Sequence, residues 1–450
     1  MENMMNSPAT GCSLFFQMMP GMMLPYEYGG VKFESTAYNA TAWIGTTLMI
    51  SPIYDVYGPD AVKFMNSVCT NNFTNLSMTG LRHAVICNEE GLVLTDGVAF
   101  KVAEDRIRTY WLNPPLQYFV ETSEMDVHGE DMTGREYFIQ VQGEKSLEIL
   151  EDALMADLHD IKFPSHRFQN VDGRQVNVVR LGMTGNLAYE IHGDMADFEY
   201  IYDRVAKSGE KFGARKQGMH TYNLFNHTEA GFPNINLHYP LPWFESGDGL
   251  ANFLYQHPQM AFYNIARILE GSMGDNLQDR FVTPYDIGLG SLVKFNHDFR
   301  GKEALMEIAK APRRQPVTLE WNAEDVGSVY AAMLSKGSEE IDDITIPGDS
   351  IFYRGDQFGF TYRADKVLNG EQEIGFSSGR IHSYTHHSMI SLGFIAPEFA
   401  QEGTELTVIW GTPGTKQMKV RVKVACFPYN KNDIVSNKDK NVEEIPHPQF

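Results

Sequence analysis

The chain has 450 residues, of which 43% are hydrophobic, 12% aromatic and 21% charged, and it carries a formal net charge of -21. That composition belongs to a folded protein of two or three domains, not to a disordered chain. The acidic balance, with no long run of Lys or Arg, excludes a nucleic-acid partner, because phosphates need a basic face.

The apolar stretch GCSLFFQMMPGMMLP (residues 11–25) has no Lys or Arg before it and is broken at Pro20, so it reads as a buried N-terminal arm and not as a secretion signal. From Trp43 an apolar strand gives way, after Gly58-Pro59-Asp60, to a helix with Val62, Phe64, Met65 and Val68 facing inward. HAVICNEEGLVLTDGVAFKV (residues 83–102) predicts two strands joined at the Asn88–Gly91 turn. Residues 146–158 predict an amphipathic helix, QVNVVRLGMTGNLAYEIHG (175–193) a second hairpin, and residues 195–213 another helix that ends at Gly213. Residues 215–250 show no sustained period and concentrate His, Tyr, Asn and Pro, the profile of a functional or mobile segment. The region from about 312 to 435 is Gly-rich and β-rich and predicts a separate all-β domain, followed by a loose polar tail.

No apolar run reaches the ~20 residues of a membrane span, so no membrane partner is expected. Cys12, Cys69, Cys87 and Cys426 are scattered without a CxxC pair. That pattern predicts neither a disulfide framework nor a structural zinc, and it fits a cytoplasmic location.

Three residues stand out as candidates for chemistry. Alternation along LAYEIHG puts Leu187, Tyr189 and Ile191 on one side and Ala188, Glu190 and His192 on the other. Glu190 fits either a solvated sheet face or a pocket, where it would accept two parallel hydrogen bonds from a heterocycle with adjacent N–H donors, such as a pterin or guanine edge. Tyr222, in GMHTYNLFNHTEAGF, fits packing, and also acid catalysis on a phenolic leaving group of similar pKa, about 10. Asp96 is a lone acid in an apolar strand and needs a backbone or ligand partner. His220, His227 and Glu229 match no metal signature, GLGSLV (288–293) reads as a turn, and His386 in SYTHHS reads as polar surface.

In order along the chain, YGPDAVKFMNSVCTNN, ICNEEGLVLTDGVAFKV, RLGMTGNLAYEIHG, GLGSLVKFNHDFRGKEAL, IGFSSGRIHSYTHHSMISLGFI and GTELTVIWG resemble the glycine-cleavage T-protein (aminomethyltransferase) superfamily over roughly residues 43–430. The resemblance implies an α+β fold, a three-domain cloverleaf around a central folate channel with a C-terminal all-β domain. The implied division is 1–55 with 156–245 as the folate-binding domain, 56–155 with 246–311 as a second α+β domain, 312–435 as the β domain and 436–450 as a tail. It also implies tetrahydrofolate as co-substrate, no metal, and Glu190 as the residue that holds the pterin.

Within that superfamily, Thr95-Asp96-Gly97 stands where aminomethyl enzymes carry paired acids, and ARKQGMHTYNLFNHTEAG stands where they carry ARDxLRLEAG. HTYNLFNHTEAGF, LEWNAEDV and ACFPYN look instead like the tetrahydrofolate-dependent aryl O-demethylases, whose catalytic tyrosine maps to Tyr222. The family's SHM element is replaced by MISPIYDVYGPDA, so the substrate-facing wall differs.

The resemblance therefore implies methyl transfer from an aromatic methyl ether to N5 of tetrahydrofolate, with Tyr222 and Asp96 catalytic. Glu190, Tyr189, Arg215 and Glu229 would hold the folate. Phe232, Tyr239, Trp243, His220 and Arg108 would hold the substrate. A sulfonium or methylamine demethylase, an aminomethyltransferase and a non-catalytic folate-binding protein are the alternatives, and the oligomeric state is left open.

Overall fold

The computed structural model describes residues 11–450 apart from 20–21, 236, 259, 261–266, 346–350 and 355–356. A six-stranded sheet is formed, in spatial order, by Ser165–Val171, Arg174–Arg180, Ala188–Asp194, Glu136–Gln142, Trp43–Gly45 and Arg215–Gln217. Glu190 lies in its interior, opposite Val179 on one neighbouring strand and Gln140 on the other. Tyr189 and Ile191 point to the far face, where they share a core with Leu147, Ile149 and Leu150 of the helix Ser146–Leu154 and Ile201 and Val205 of the helix Phe198–Phe212. Each of these fully buried aliphatic side chains contributes about 1.5–3 kcal/mol. The period-two alternation thus leaves Glu190, His192 and Gln140 for the other face.

The helix predicted over 146–158 stops early, at Met155, which is left-handed at φ 50°. Glu151 turns back to accept the Leu158 N–H at 2.8 Å, closing the chain into a turn where the periodicity continues. Helix Ala61–Val68 buries Phe64, Met65 and Val68 as expected, with Val62 half-buried. Gly213 ends the helix Phe198–Phe212 at φ 74°. The segment GLGSLV is a turn with a short 3₁₀ stretch, Gly290–Leu292.

A five-stranded sheet runs Leu81–Cys87, Val93–Ala103, Arg106–Tyr110, Ile53–Tyr57, His128–Asp131. Gly97 sits where its strand presses on the next: a Cβ there would lie 2.0 Å from the Tyr110 carbonyl oxygen. Gly97→Ala is expected to cost about 1–3 kcal/mol of stability, because backbone and not a flexible side chain must move. A thermal melt showing an unchanged Tm for this variant would contradict that.

The C-terminal region closes into a barrel in the order Gln315–Trp321, Ser388–Ile395, Gln372–Ser383, Asp365–Asn369, Glu405–Trp410, Met418–Ala425. The helix Ala323–Met333 follows its first strand. Asn322 caps that helix by accepting the Asp325 N–H, and Glu324 and Asp325 lie in its first turn, favourable for the N-terminal dipole.

Both chain ends depart from expectation. The N-terminal arm is a hairpin of Leu14–Met19 and Met22–Glu27 with Leu14 and Phe15 exposed and Leu24 buried; Pro20 lies outside the described residues. The tail is fastened down. Buried Arg180 donates to the Asn437 side-chain oxygen at 3.1 Å and to the carbonyls of Asn437 and Lys440, both at 2.9 Å. Asn437 in turn donates to the Ala188 carbonyl at 3.1 Å and the Gly185 carbonyl at 2.7 Å, and Val442 enters the core of the six-stranded sheet. Polar composition reads as loose only while its partners are unknown. Arg180→Met should lower stability by about 2–4 kcal/mol, since it strands several buried acceptors, and should speed proteolysis after residue 430; equal digestion rates would refute the anchoring role.

Candidate active site

Between the two sheets and the 215–240 segment lies a cavity of about 210 Å³, lined among others by His83, Asp96, Trp111, Glu190, Tyr222, His227 and Phe232. Glu190 reaches it from the six-stranded sheet. It is 7% exposed, and burial pushes its carboxyl up to about 8, with the Gln140 side chain pulling the other way. Its nearest basic neighbour, His192 Nε2, is 3.5 Å away and makes no hydrogen bond. Burial also holds His192 well below its ordinary value, so that ring is neutral. The Glu190 carboxyl therefore has too few donors, facing a cavity.

Tyr222 lies on a π-type helical turn, Thr221–Asn226, an irregularity often found at functional sites. Buried Glu34 anchors the start of that turn by accepting the Gly218 N–H and the Thr221 hydroxyl, each at 2.9 Å. The Tyr222 ring packs edge-on against Trp43 and His227, and its hydroxyl accepts the Gln140 amide at 3.2 Å. Gln140 thus stands beside Glu190 and bonds Tyr222. Burial holds the Tyr222 proton on, far above the ordinary phenol value.

Asp96 lines the cavity but is already engaged. His83 Nε2 meets one of its oxygens at 2.8 Å and the Tyr239 hydroxyl donates to the other at 3.2 Å. Phe232 lies between the rings of His83 at 5.5 Å and His227 at 5.8 Å. His227 donates from Nδ1 to the Phe232 carbonyl at 2.8 Å, and burial lowers it to about 4, so it is a neutral imidazole.

Of the residues singled out in the sequence, the cavity brings together Glu190, Tyr222, Asp96 and Phe232. Tyr189 packs in the core on the opposite sheet face. Arg215 bonds the Phe33 carbonyl and Thr36, and Arg108 is paired to Asp55 and Glu136. Glu229 accepts the Tyr38 hydroxyl, His220 pairs with Glu27, and Trp243 donates to the Leu94 carbonyl. Tyr239 reaches the site only through Asp96.

Gln140, His83 and Trp111 were missed, and His227 entered only as a metal candidate that matched no signature. Gln140 carried the same sign as Glu190, a polar side chain inside the apolar run YFIQVQ. Trp111 is left-handed at φ 66°, a costly conformation of about 1–3 kcal/mol for a bulky residue. Its N–H bonded to the Pro52 carbonyl and its carbonyl accepting the Thr95 hydroxyl hold it there.

Among the described residues, one group has metal-like spacing, Asp157, His159 and His447. It lies outside the cavity, and His159 already bonds Glu151 and the Ile445 carbonyl. No helix among the described residues is long and apolar enough to cross a membrane.

Residues 21–237 match the model of the GCVT N-terminal domain family. The chain is 49% identical to a sesamin methylene transferase of Sinomonas sp., over 94% of each chain. It is 28% identical to a syringate O-demethylase of Sphingobium sp., over 90% of this chain and 91% of that one. The crystal structure of the glycine cleavage system aminomethyltransferase T from Bartonella henselae superposes with a TM-score of 0.65 at 17% identity, covering 93% of this chain and 94% of that one, a likeness of fold.

Proposed function

Since the chain belongs to the aminomethyltransferase T-protein family, near its tetrahydrofolate-dependent demethylases, and is a one-carbon transferase, we propose that it moves a one-carbon unit from an aryl ether oxygen to tetrahydrofolate and releases a phenol. The observation that carries this reading is that Glu190 and Tyr222 line one cavity, with Gln140 across the strand pair from the first and hydrogen-bonded to the second.

The donor-poor Glu190 carboxyl fits an aromatic heterocycle that presents adjacent N–H groups, as the pterin does. Tetrahydrofolate supplies the amine that accepts the carbon. Burial keeps the Tyr222 hydroxyl protonated in the free protein, so it meets the ether oxygen as a donor that hydrogen-bonds the charge developing there and can protonate it. The walls of Trp111, Phe232, Leu237 and Phe138 suit a flat arene, and holding two reactants in line is the largest service such a cavity offers.

The donor carbon stands at one of two oxidation levels. A methoxyarene yields 5-methyltetrahydrofolate. A methylenedioxyarene yields 5,10-methylenetetrahydrofolate and a catechol, and the full-length likeness to a sesamin methylene transferase favours this second reading. Incubation with tetrahydrofolate and a panel of methoxyarenes, methylenedioxyarenes, sulfonium compounds and methylated amines tests both. We expect one of the two folate products from an aryl ether; turnover of sulfonium or amine donors alone would overturn the proposal.

A further inference from the structure

We propose that His192 is a positioning residue of the ligand site: a chain of hydrogen bonds fixes its one ring proton on the nitrogen away from Glu190, so that a bare nitrogen faces the carboxyl and keeps it a neutral acid until a ligand displaces the proton. The inference rests on the reading of Glu190 as the residue that holds the pterin.

Glu190 and His192 lie two residues apart on the strand Ala188–Asp194, so both point to the same face. The His192 ring is fully buried and wedged among Phe138, Tyr110 and Phe100, with ring centroids at 4.1, 4.9 and 5.6 Å. Burial, with Arg108 and His166 nearby, keeps the ring neutral, so it carries a single proton. His192 Nδ1 lies 2.8 Å from the Tyr110 hydroxyl, and that hydroxyl donates to Glu136 Oε2. The other Glu136 oxygen accepts from Arg108, which opposes the pull of burial on that carboxyl and grips Asp55 with two more bonds, at 2.7 and 2.8 Å. A hydroxyl has one proton to give, and this one goes to the carboxylate. The Tyr110 oxygen is therefore an acceptor toward His192. The ring proton must then sit on Nδ1, which leaves Nε2 with only its lone pair.

Nε2 has no hydrogen-bond partner and lies 3.5 Å from Glu190 Oε2. Gln140, opposite Glu190 on the next strand, gives its amide to Tyr222, and its side-chain oxygen also has no partner. An ionised Glu190 would face the His192 lone pair in a dry site; a protonated one can turn its O–H toward it. Burial already favours the neutral acid, and the tautomer adds to that preference. A heterocycle with adjacent N–H groups reverses the balance, because it brings the donors that the protein withholds, and the carboxyl proton leaves to solvent. The other titratable groups around this pair are Tyr222, His166 behind Phe100, and Tyr110, Glu136 and Arg108 along the chain. His83, Asp96 and His227 line the same cavity.

The test follows the infrared C=O band of the protonated Glu190 carboxyl across pH in the ligand-free protein, the band being identified by its loss in Glu190→Gln. In the wild type it should persist through pH 7 and titrate near 8. Tyr110→Phe frees Nδ1 from its acceptor, so that Nε2 can carry the proton and donate to the carboxylate. It should lower the midpoint by at least about one unit, a tenfold loss of proton affinity. His192→Gln, whose amide can donate to Glu190, should lower it by a second route, so the result does not hang on one variant's folding. The pH at which tetrahydrofolate affinity levels off should move down with the midpoint. A midpoint unchanged in both variants, or a Glu190 already ionised at pH 7 in the wild type, would overturn the inference. A midpoint that falls as expected while wild-type tetrahydrofolate affinity is independent of pH would uphold the role of His192 and sink Glu190 as the pterin holder.

Discussion

Tyr222→Phe is expected to slow turnover of the aryl ether by about 10²–10³-fold, the usual cost of removing one hydrogen-bond donor aimed at developing oxyanion charge. The ring stays packed between Trp43 and His227, so the cavity keeps its shape. The change also strands the buried Gln140 amide donor, which should cost about 1–3 kcal/mol of stability. Folate affinity should hold, because the proposed pterin contact is on Glu190. Single-turnover rates at saturating folate, alongside a binding titration, separate these effects. Undiminished turnover would mean that the leaving group departs neutral and needs no donor, as from a sulfonium or an amine.

The second large effect concerns Glu190. With its carboxyl pushed up to about 8, the free protein holds it protonated at pH 7. A pterin that donates two N–H bonds binds the ionised form, so affinity should strengthen as pH rises toward about 8, by at most tenfold per unit, and level off above it. Glu190→Gln should abolish this slope and weaken binding about 100-fold at pH 8.5, the worth of two hydrogen bonds to a charge.

The same shift has a stability consequence of opposite sense. The unfolded carboxyl ionises near 4.3. Between that value and about 8 the folded state binds the extra proton, so the contribution of Glu190 to stability is greatest in acid and declines as pH rises through the window. Calorimetric titration of folate across pH 6–9 reads the first effect directly: proton release on binding below pH 8, absent in the glutamine variant. A pH-independent affinity in the wild type would remove Glu190 from the folate site.

The sequence was most readable where one strand or helix carries its own explanation. A carboxylate at an alternating position of an apolar strand marked Glu190, and the end of a helix at Gly213 needed only the glycine. It was least readable where a side chain is satisfied from afar. Asp96 looked like an acid in search of a ligand, yet His83 and Tyr239 hold it, 13 and 143 residues away. Arg108 looked available for a substrate carboxylate, yet Asp55 lies directly across the strand pair. Tyr239 and Trp243 shared an aromatic-rich segment with Phe232, but only Phe232 faces the cavity, because irregular backbone has no period from which to assign a face.

The anchored tail makes the order of synthesis matter to the site. Ala188, two residues before Glu190, is braced by Asn437, 249 positions later. A nascent chain with the hairpin, the cavity walls and the barrel already emerged still lacks the clasp behind that strand. Pairings between such distant segments form slowly. That clasp closes only once residue 437 has emerged, and a bulky fusion joined beyond it should delay completion of the pocket more than one joined at the exposed N-terminal hairpin.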